Sequence, residues 1–284
     1  MKLSIIIVSY NTQDYLRQAL QSIKQSTDTL TKEVIVVDNA SSDGSLEIIQ
    51  NQFNWVKLIK NSRNLGYAAA NNAGLGQARG EYILFLNSDT RILPETLAIM
   101  IDFMDQHPDA GVSTCRVELP SGDIDPASHR GFPTPWNALT YFVGLEKLFP
   151  QSKFFSGYHQ GWKNLSHVHE IDSPAGAFFL TRKAVLDQIG GFDDQFFMYA
   201  EDLDLSLRVK RAGWKIMYVP STKIIHYKKK SGRASSHRLT RSRTQQHFFT
   251  TMKLFYDKHY QRQYSPLVRW LVLTGIRLTR LIRN

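Results

Sequence analysis

The chain has 284 residues, 42% of them hydrophobic and 21% charged, which excludes a disordered chain and allows a large buried core. Its one cysteine, Cys115, excludes an internal disulfide and a cysteine-based zinc site and fits a reducing compartment. The net charge of +10 is unevenly spread: residues 1–204 hold 16 Lys/Arg and 24 Asp/Glu, and residues 205–284 hold 19 and 1. A basic C-terminal part suits a phosphate-rich partner, namely nucleic acid, an anionic membrane or a diphosphate substrate.

In chain order, "MKLSIIIVSYN" has an apolar stretch of six residues, Leu3 to Val8, with no small-residue cleavage site after it. It reads as a first strand and not as a signal peptide. No uncharged run of about 18 apolar residues follows anywhere, so a spanning helix is not expected and a cytoplasmic location is. Up to residue 90, β-rich runs ("IIIV", "VIVV", "VKLIKN", "YILFL") alternate with helix-like stretches ("YLRQALQSIKQ", "SLEIIQNQF", "GYAAANNAGLGQA"). Strands with this little alternation are buried on both faces, and the pattern predicts a doubly wound α/β layer. Three strands end in polar residues, at Ser9 to Asn11, Asp38 to Ser42 and Asn87 to Asp89, and these ends are expected on one sheet edge, where such folds bind ligands.

A helix is expected from about Pro94 to Gln106, ended by "HPDAG". Residues 118–170, rich in Pro, Gly, aromatics and His, read as an irregular cover over a substrate site. "GAFFLTRKAVLDQIGGF" predicts a strand and a helix stopped at Gly190 and Gly191. "EDLDLSLRVKRAG" predicts a helix with acids in its first turn and Gly213 beyond its end. "KIMYVP" and "KIIHY" read as two short strands, and the last 50 residues as helical. The division expected is a catalytic domain over 1–230 and a basic helical extension over 231–284.

Several residues suit chemistry, and each has a plainer reading beside it. Asp38, in "VVDNASSDGS", is placed to accept from a base imide or a ribose, while the same residues make an ordinary turn and N-cap. "NLGYAAANNAG", opening on Asn64, allows close approach of backbone to a ligand or of helix to helix. With neither GxxxxGK nor GxGxxG present, a phosphate site needs a metal or basic side chains. Asp89 in "FLNSDT" is a hard oxygen donor for Mg²⁺ or Mn²⁺, and His226 in "IIHY" is a second candidate ligand, although a lone His near a strand end is often structural. "GGFDDQFFMYAEDLDLSLR" gathers five acids around aromatics, which suits a general base as well as a helix dipole.

Taken in order, "IIIVSYN", "VVDNASSDGS", "NLGYAAANNAG", "FLNSDT", "GAFFLTRKAV", "GGFDDQFFMYAEDLDLSLRVKRAGW" and "IIHY" resemble the inverting glycosyltransferases of family 2, especially rhamnosyltransferase-like members, over about residues 1–230. The resemblance implies a GT-A fold, a nucleotide-diphospho-sugar donor, Mn²⁺ or Mg²⁺, and a single displacement that inverts the anomeric carbon. It further implies that Ser9, Tyr10, Asn11 and Asp38 bind the nucleoside, with Asn64, Asn87 and Ser88 also on the donor. Asp89 and His226 correspond to metal ligands, and Glu201 and Asp202 to the acidic pair whose Asp is the base. "NSD" departs from the family's DxD, since Asn87 brings no charge.

The expected activity is transfer of L-rhamnose from dTDP-L-rhamnose to a lipid-linked saccharide of a bacterial surface polysaccharide. UDP-galactofuranose, UDP-glucose and UDP-hexosamines are alternative donors. A non-catalytic binding protein is the rival from another class, but no groove-reading motif supports nucleic acid as its partner. The acid-free "KKKSGRASSHRLTRSR" reads as a loop over a diphosphate or as a solvated basic loop. In the last helix Arg269, Arg277, Arg280 and Arg283 oppose Leu267, Leu271, Leu278 and Ile282, as in a helix lying on the inner face of a membrane. Val272, Leu273 and Ile276 interrupt the Arg side, so docking on the catalytic domain or on a second subunit, as in a homodimer, is the competing reading.

Overall fold

Residues 1–228 and 238–283 are described by a computed structural model, with the side chains of 238–244 and 281–283 outside the description. The segment at 229–237, most of the basic stretch singled out above, and the side chains of Ile282 and Arg283 therefore lie outside the described residues.

The apolar runs form strands and the amphipathic stretches helices in the order β1 Leu3–Ser9, α1 Gln13–Lys24, β2 Lys32–Asp38, α2 Ser45–Gln52, β3 Lys57–Lys60, α3 Tyr67–Leu75, β4 Tyr82–Asn87, β5 Thr90–Ile92 and α4 Thr96–Gln106. There follow β6 Ala110–Glu118, α5 Pro135–Phe142, α6 Leu145–Leu148, β7 His169–Glu170, β8 Phe178–Arg182, α7 Lys183–Ile189, α8 Glu201–Arg211, β9 Lys215–His226, α9 Arg238–His259 and α10 Pro266–Arg283. One sheet has the order β3-β2-β1-β4-β8-β6-β9-β5, with β7 also on β9. Its first four strands are parallel, and β8 enters antiparallel between β4 and β6. The sheet is therefore mixed and wound on both faces.

Burial follows the pleat. Ile5, Ile7, Val34 and Val36 face α1, α2 and α4, whereas Ile6, Ile35 and Val37 face α3, α7 and α8. Register pairs Ser9 with Asp38 and Val8 with Asn87, so the three polar strand ends share one edge, as expected.

Two expectations fail. "KIMYVP" and "KIIHY" belong to one strand, β9, because Cys115 pairs with Val219 and the next residue, Arg116, with Lys223. Residues 220–222 bulge out around Pro220, which has no N–H for the ladder. Residues 118–170 are not irregular throughout: Thr134 caps α5, accepting from Asn137 N at 3.2 Å, with Pro135 in the first turn. Trp136, Leu139 and Val143 recur at helical spacing in this stretch, and all three are exposed.

The C-terminal helix α9 lies against α8. Phe255, Tyr256 and Tyr260 pack with Phe196, Leu203 and Leu207, and Val272 of α10 joins the cluster. At its centre Asp204 is fully buried, bonded by Arg208 Nε at 2.9 Å, Lys258 Nζ at 2.6 Å and His259 Nε2 at 2.7 Å. Burial alone would raise the pKa of Asp204. The bonds from His259 and Lys258 and the charge of Arg208 outweigh it and hold the carboxyl down at about 2.

Replacing Asp204 by Asn should cost about 3–5 kcal/mol in urea unfolding, because Arg208 and Lys258 lose their buried counter-charge and His259 Nε2 its carboxylate acceptor. The folded pKa lies below the unfolded value of 3.8, so this stability is complete above pH 3.8 and disappears as pH falls through about 2. Stability measured against pH should show that acid limb in the native chain and lack it in the variant.

Candidate active site

The shared strand edge is built first from short polar side chains. Ser9 Oγ lies 3.1 Å from Thr12 Oγ1, which donates to Ser88 Oγ at 3.0 Å, tying the ends of β1 and β4 together. Asn11 is left-handed (φ 53°), donates its N–H to Ser41 Oγ at 3.0 Å and accepts from Ser42 N at 2.7 Å. Tyr10 beside it is 48% exposed and available to a ligand. Asp38 is buried; its Oδ2 accepts from Ser41 N at 2.9 Å, while Oδ1 accepts nothing among the described residues. A buried acceptor without a donor is costly, so this oxygen suits an N–H or O–H brought by a ligand. Asn64 is committed elsewhere: its Oδ1 accepts from Gly66 N at 2.9 Å in the turn before α3.

A second cluster comes from strand pairing. Thr90 of β5 opposes His226 of β9, and Tyr227 N donates to Asp89 O at 2.9 Å. The pairing sets Asp89 Oδ1 3.2 Å from His226 Nε2, with Asn87 Nδ2 at 3.5 Å from the same nitrogen. On the other side of the ring, Nδ1 lies 2.9 Å from Asp125 Oδ2, and Asp125 Oδ1 accepts from Lys228 at 2.6 Å and Ala127 N at 2.9 Å. Burial lowers the pKa of His226, but the two flanking carboxylates overcome it and raise the ring to about 9.

The donor set fits a divalent cation. A carboxylate oxygen and an imidazole nitrogen stand side by side; a cation at Nε2 would displace its proton, and the second carboxylate behind the ring would keep the other proton on Nδ1. Among the described residues no three His, Cys, Asp or Glu side chains make a closed metal site. Two protein ligands would leave positions for phosphate oxygens and water, and imidazole suits Mn²⁺ better than Mg²⁺.

The third cluster stands at the start of α8. Tyr199 (φ 72°) and Ala200 (φ 64°) are consecutive left-handed residues without being glycine, a strained entry that delivers Glu201 and Asp202 buried at the helix N-terminus. Asp202 Oδ2 accepts from Arg130 Nη2 at 2.6 Å and Gly176 N at 3.3 Å, and Arg130 also donates to Pro174 O at 3.0 Å. Glu201 Oε2 is buried with no partner among the described residues. Burial and the Asp202 charge push its carboxyl well above the usual carboxylate range, and a neutral carboxyl both donates and accepts.

Tyr67 links the clusters. Its hydroxyl donates to Gly176 O at 3.0 Å, and its pKa is raised by burial first and then by Glu201, Asp202 and Asp89. Tyr67 thus stands within electrostatic reach of both Asp89 and the Glu201–Asp202 pair, while Asn64 is turned into its own loop. Asp125 and Arg130 were missed from sequence. An acid and an arginine inside an aperiodic segment carry no pattern that marks them.

Residues 4–165 match Glycosyl transferase family 2, and residues 144–257 match Glycosyl transferase family 21. The chain belongs to glycosyltransferase family 2. This family 2 enzyme is 28% identical over 97% of its length to an N-acetylglucosaminyl-diphospho-decaprenol L-rhamnosyltransferase of Mycobacterium tuberculosis, covering 91% of that protein. It is 29% identical over 78% of its length to the rhamnosyltransferase WbbL of Escherichia coli K12, covering 82% of it. Among solved structures, TarS 1–349 of S. aureus in complex with UDP-GlcNAc superposes with a TM-score of 0.60 at 22% identity, over 99% of this chain and 72% of that one. The Pyrobaculum calidifontis mannosyltransferase PcManGT, in complex with GDP-Man and Mn²⁺, gives 0.62 at 16% identity, over 98% and 69%. The fold is GT-A.

With no added cation, an NMR titration of His226 should show a midpoint near 9. In Asp125→Asn the midpoint should move down, since one of the two carboxylates that favour the charged ring is gone; an unmoved midpoint would assign the shift to Asp89 alone.

Proposed function

We propose that this glycosyltransferase moves L-rhamnose from dTDP-L-rhamnose, with inversion, to a hydroxyl of a lipid-linked saccharide in bacterial surface polysaccharide synthesis. The observation that carries the chemistry is the meeting of Asp89–His226 and Arg130–Asp202 around Tyr67. The sugar and the acceptor class rest on the names of the two rhamnosyltransferase relatives. A UDP-hexosamine donor is the second reading, favoured by 36% identity over 38% of the chain to S. aureus TarS, a poly(ribitol-phosphate) β-N-acetylglucosaminyltransferase.

In this reading the unpartnered Asp38 Oδ1 accepts from the nucleotide base or ribose, and Ser9, Tyr10 and Asn11 line the nucleoside. Asn64 shapes the turn at the start of α3, while Asn87 and Ser88 face the ribose and diphosphate. Asp89 and His226 hold Mn²⁺ or Mg²⁺, which when bound neutralises charge on the departing nucleoside diphosphate. Asp202 takes the proton of the acceptor hydroxyl. The acceptor oxygen bonds to the anomeric carbon as the bond to the diphosphate breaks on the opposite face. Arg130 orients the carboxylate of Asp202, and the neutral Glu201 is available to a sugar hydroxyl.

We assign catalysis to residues 1–230 and a supporting and targeting role to 231–284. No helix among the described residues is long and apolar enough to cross a membrane. On α10, Leu267, Trp270, Leu271 and Leu278 are exposed, Arg277 and Arg280 stand in solvent, and Val272 packs inward. This arrangement supports attachment to the inner face of an anionic membrane, although the same surface would serve a homodimer.

Asp202→Asn should lower transfer about 10²–10⁴-fold while donor binding persists; transfer at the native rate removes Asp202 from the role of base. In thermal-shift titrations with Mn²⁺ and dTDP-, UDP- and GDP-sugars, dTDP-rhamnose should stabilise the chain, and Asp89→Ala should lose that shift. Preference for a UDP-sugar would replace the rhamnosyl assignment. Removal of residues 265–284 should move the protein from membrane to supernatant, and unchanged partitioning would sink the role given to α10.

A further inference from the structure

Fourteen large hydrophobic side chains are exposed among the described residues, and they are not scattered: four lie on α10 and six between residues 136 and 154. Single exposed apolar residues are ordinary, but a cluster marks a contact surface. Trp136, Leu139 and Val143 occupy one face of α5, Leu148 and Phe149 end α6, and Phe154 follows, with Leu148 71% and Phe154 62% exposed. The surface is built rather than loose. Trp136 Nε1 donates to Phe154 O at 2.8 Å and the two rings lie 4.8 Å apart, so the indole makes no demand for water.

Charge identifies the occupant. Residues 131–168 contain one acid, Glu146, which is buried and accepts from His159 N at 2.8 Å. Lys147 and Lys153 are exposed beside the apolar side chains. We infer that the α5–α6 face is a docking surface for an anionic lipid bilayer, separate from α10 and resting on the membrane-associated reading above. Apolar side chains enter the acyl boundary while the two lysines meet headgroup phosphates. A two-fold dimer through this face would bring two copies each of Lys147 and Lys153 into one interface, to which residues 131–168 contribute no exposed acid.

The position fits the chemistry. Arg130, which holds Asp202, and Phe132, which packs on the cluster shared with Val272 of α10, immediately precede α5. A bilayer held here would be joined by a few residues of chain to Arg130, the partner of Asp202.

The test is vesicle flotation of the full chain with phosphatidylcholine alone and with added phosphatidylglycerol, neither containing acceptor lipid. The chain should float with the anionic vesicles. Leu139→Glu/Val143→Glu/Leu148→Glu and, separately, Lys147→Glu/Lys153→Glu should each reduce the bound fraction at least about tenfold. Both variants should keep the thermal midpoint and the native rate on a water-soluble acceptor. No flotation of the native chain, equal flotation of the variants, or a dimer in sedimentation velocity that the triple variant dissociates would each overturn the proposal. Flotation as expected without transfer to any acceptor would instead overturn the transferase assignment and leave the surface standing.

Discussion

The antiparallel pairing of β5 with β9 is the constraint on which the candidate site depends. Asp89 and His226 are far apart in sequence, and each is an ordinary polar residue at a strand end. Opposing Thr90 to His226 turns them into a carboxylate and an imidazole 3.2 Å apart, and the hydrogen bond from Tyr227 N to Asp89 O locks the register. A slip of one residue would turn His226 to the other face of the sheet. Beyond the bulge at 220–222, Ile224 and Ile225 of β9 pair with Val117 and Glu118 of β6 on one side and with Ile92 and Arg91 of β5 on the other.

Helix α8 shows how one acidic turn is divided among three tasks by its surroundings. Glu201 has burial and a neighbouring charge, and its Oε2 has no partner among the described residues, so its carboxyl is pushed toward the neutral form. Asp202, one residue on, meets Arg130 and Gly176 N. Asp204 faces the opposite way, into the cations of α8 and α9. The extension is thereby clamped to the helix that carries the acidic pair. Phe197 stacked on His247 at 4.6 Å extends the clamp to the loop before that helix. Helix α8 and helix α9 thus share one packed cluster.

Most of the sheet was legible because strands buried on both faces must be apolar without alternation, and β1, β2 and β4 are. Asp38 and Asp89 were legible as candidates because parallel strands place their polar ends together. Arg130 and Asp125 were not, since neither periodicity nor spacing relates them to Asp202 or His226. The exposed side of α5 was not legible because an apolar helix face is expected against the core, and only the packing shows this one turned outward.

The sequence by itself determined the doubly wound core, the edge where polar strand ends gather and the concentration of positive charge after residue 204, because these follow from local composition and chain order. Only the tertiary structure decided which acid meets which base, that Asn64 closes its own turn, that Asp204 clamps α9, and that two apolar surfaces face outward. Those outcomes depend on contacts between residues distant in the chain, whose energies come from burial and charge pairing that no local pattern encodes.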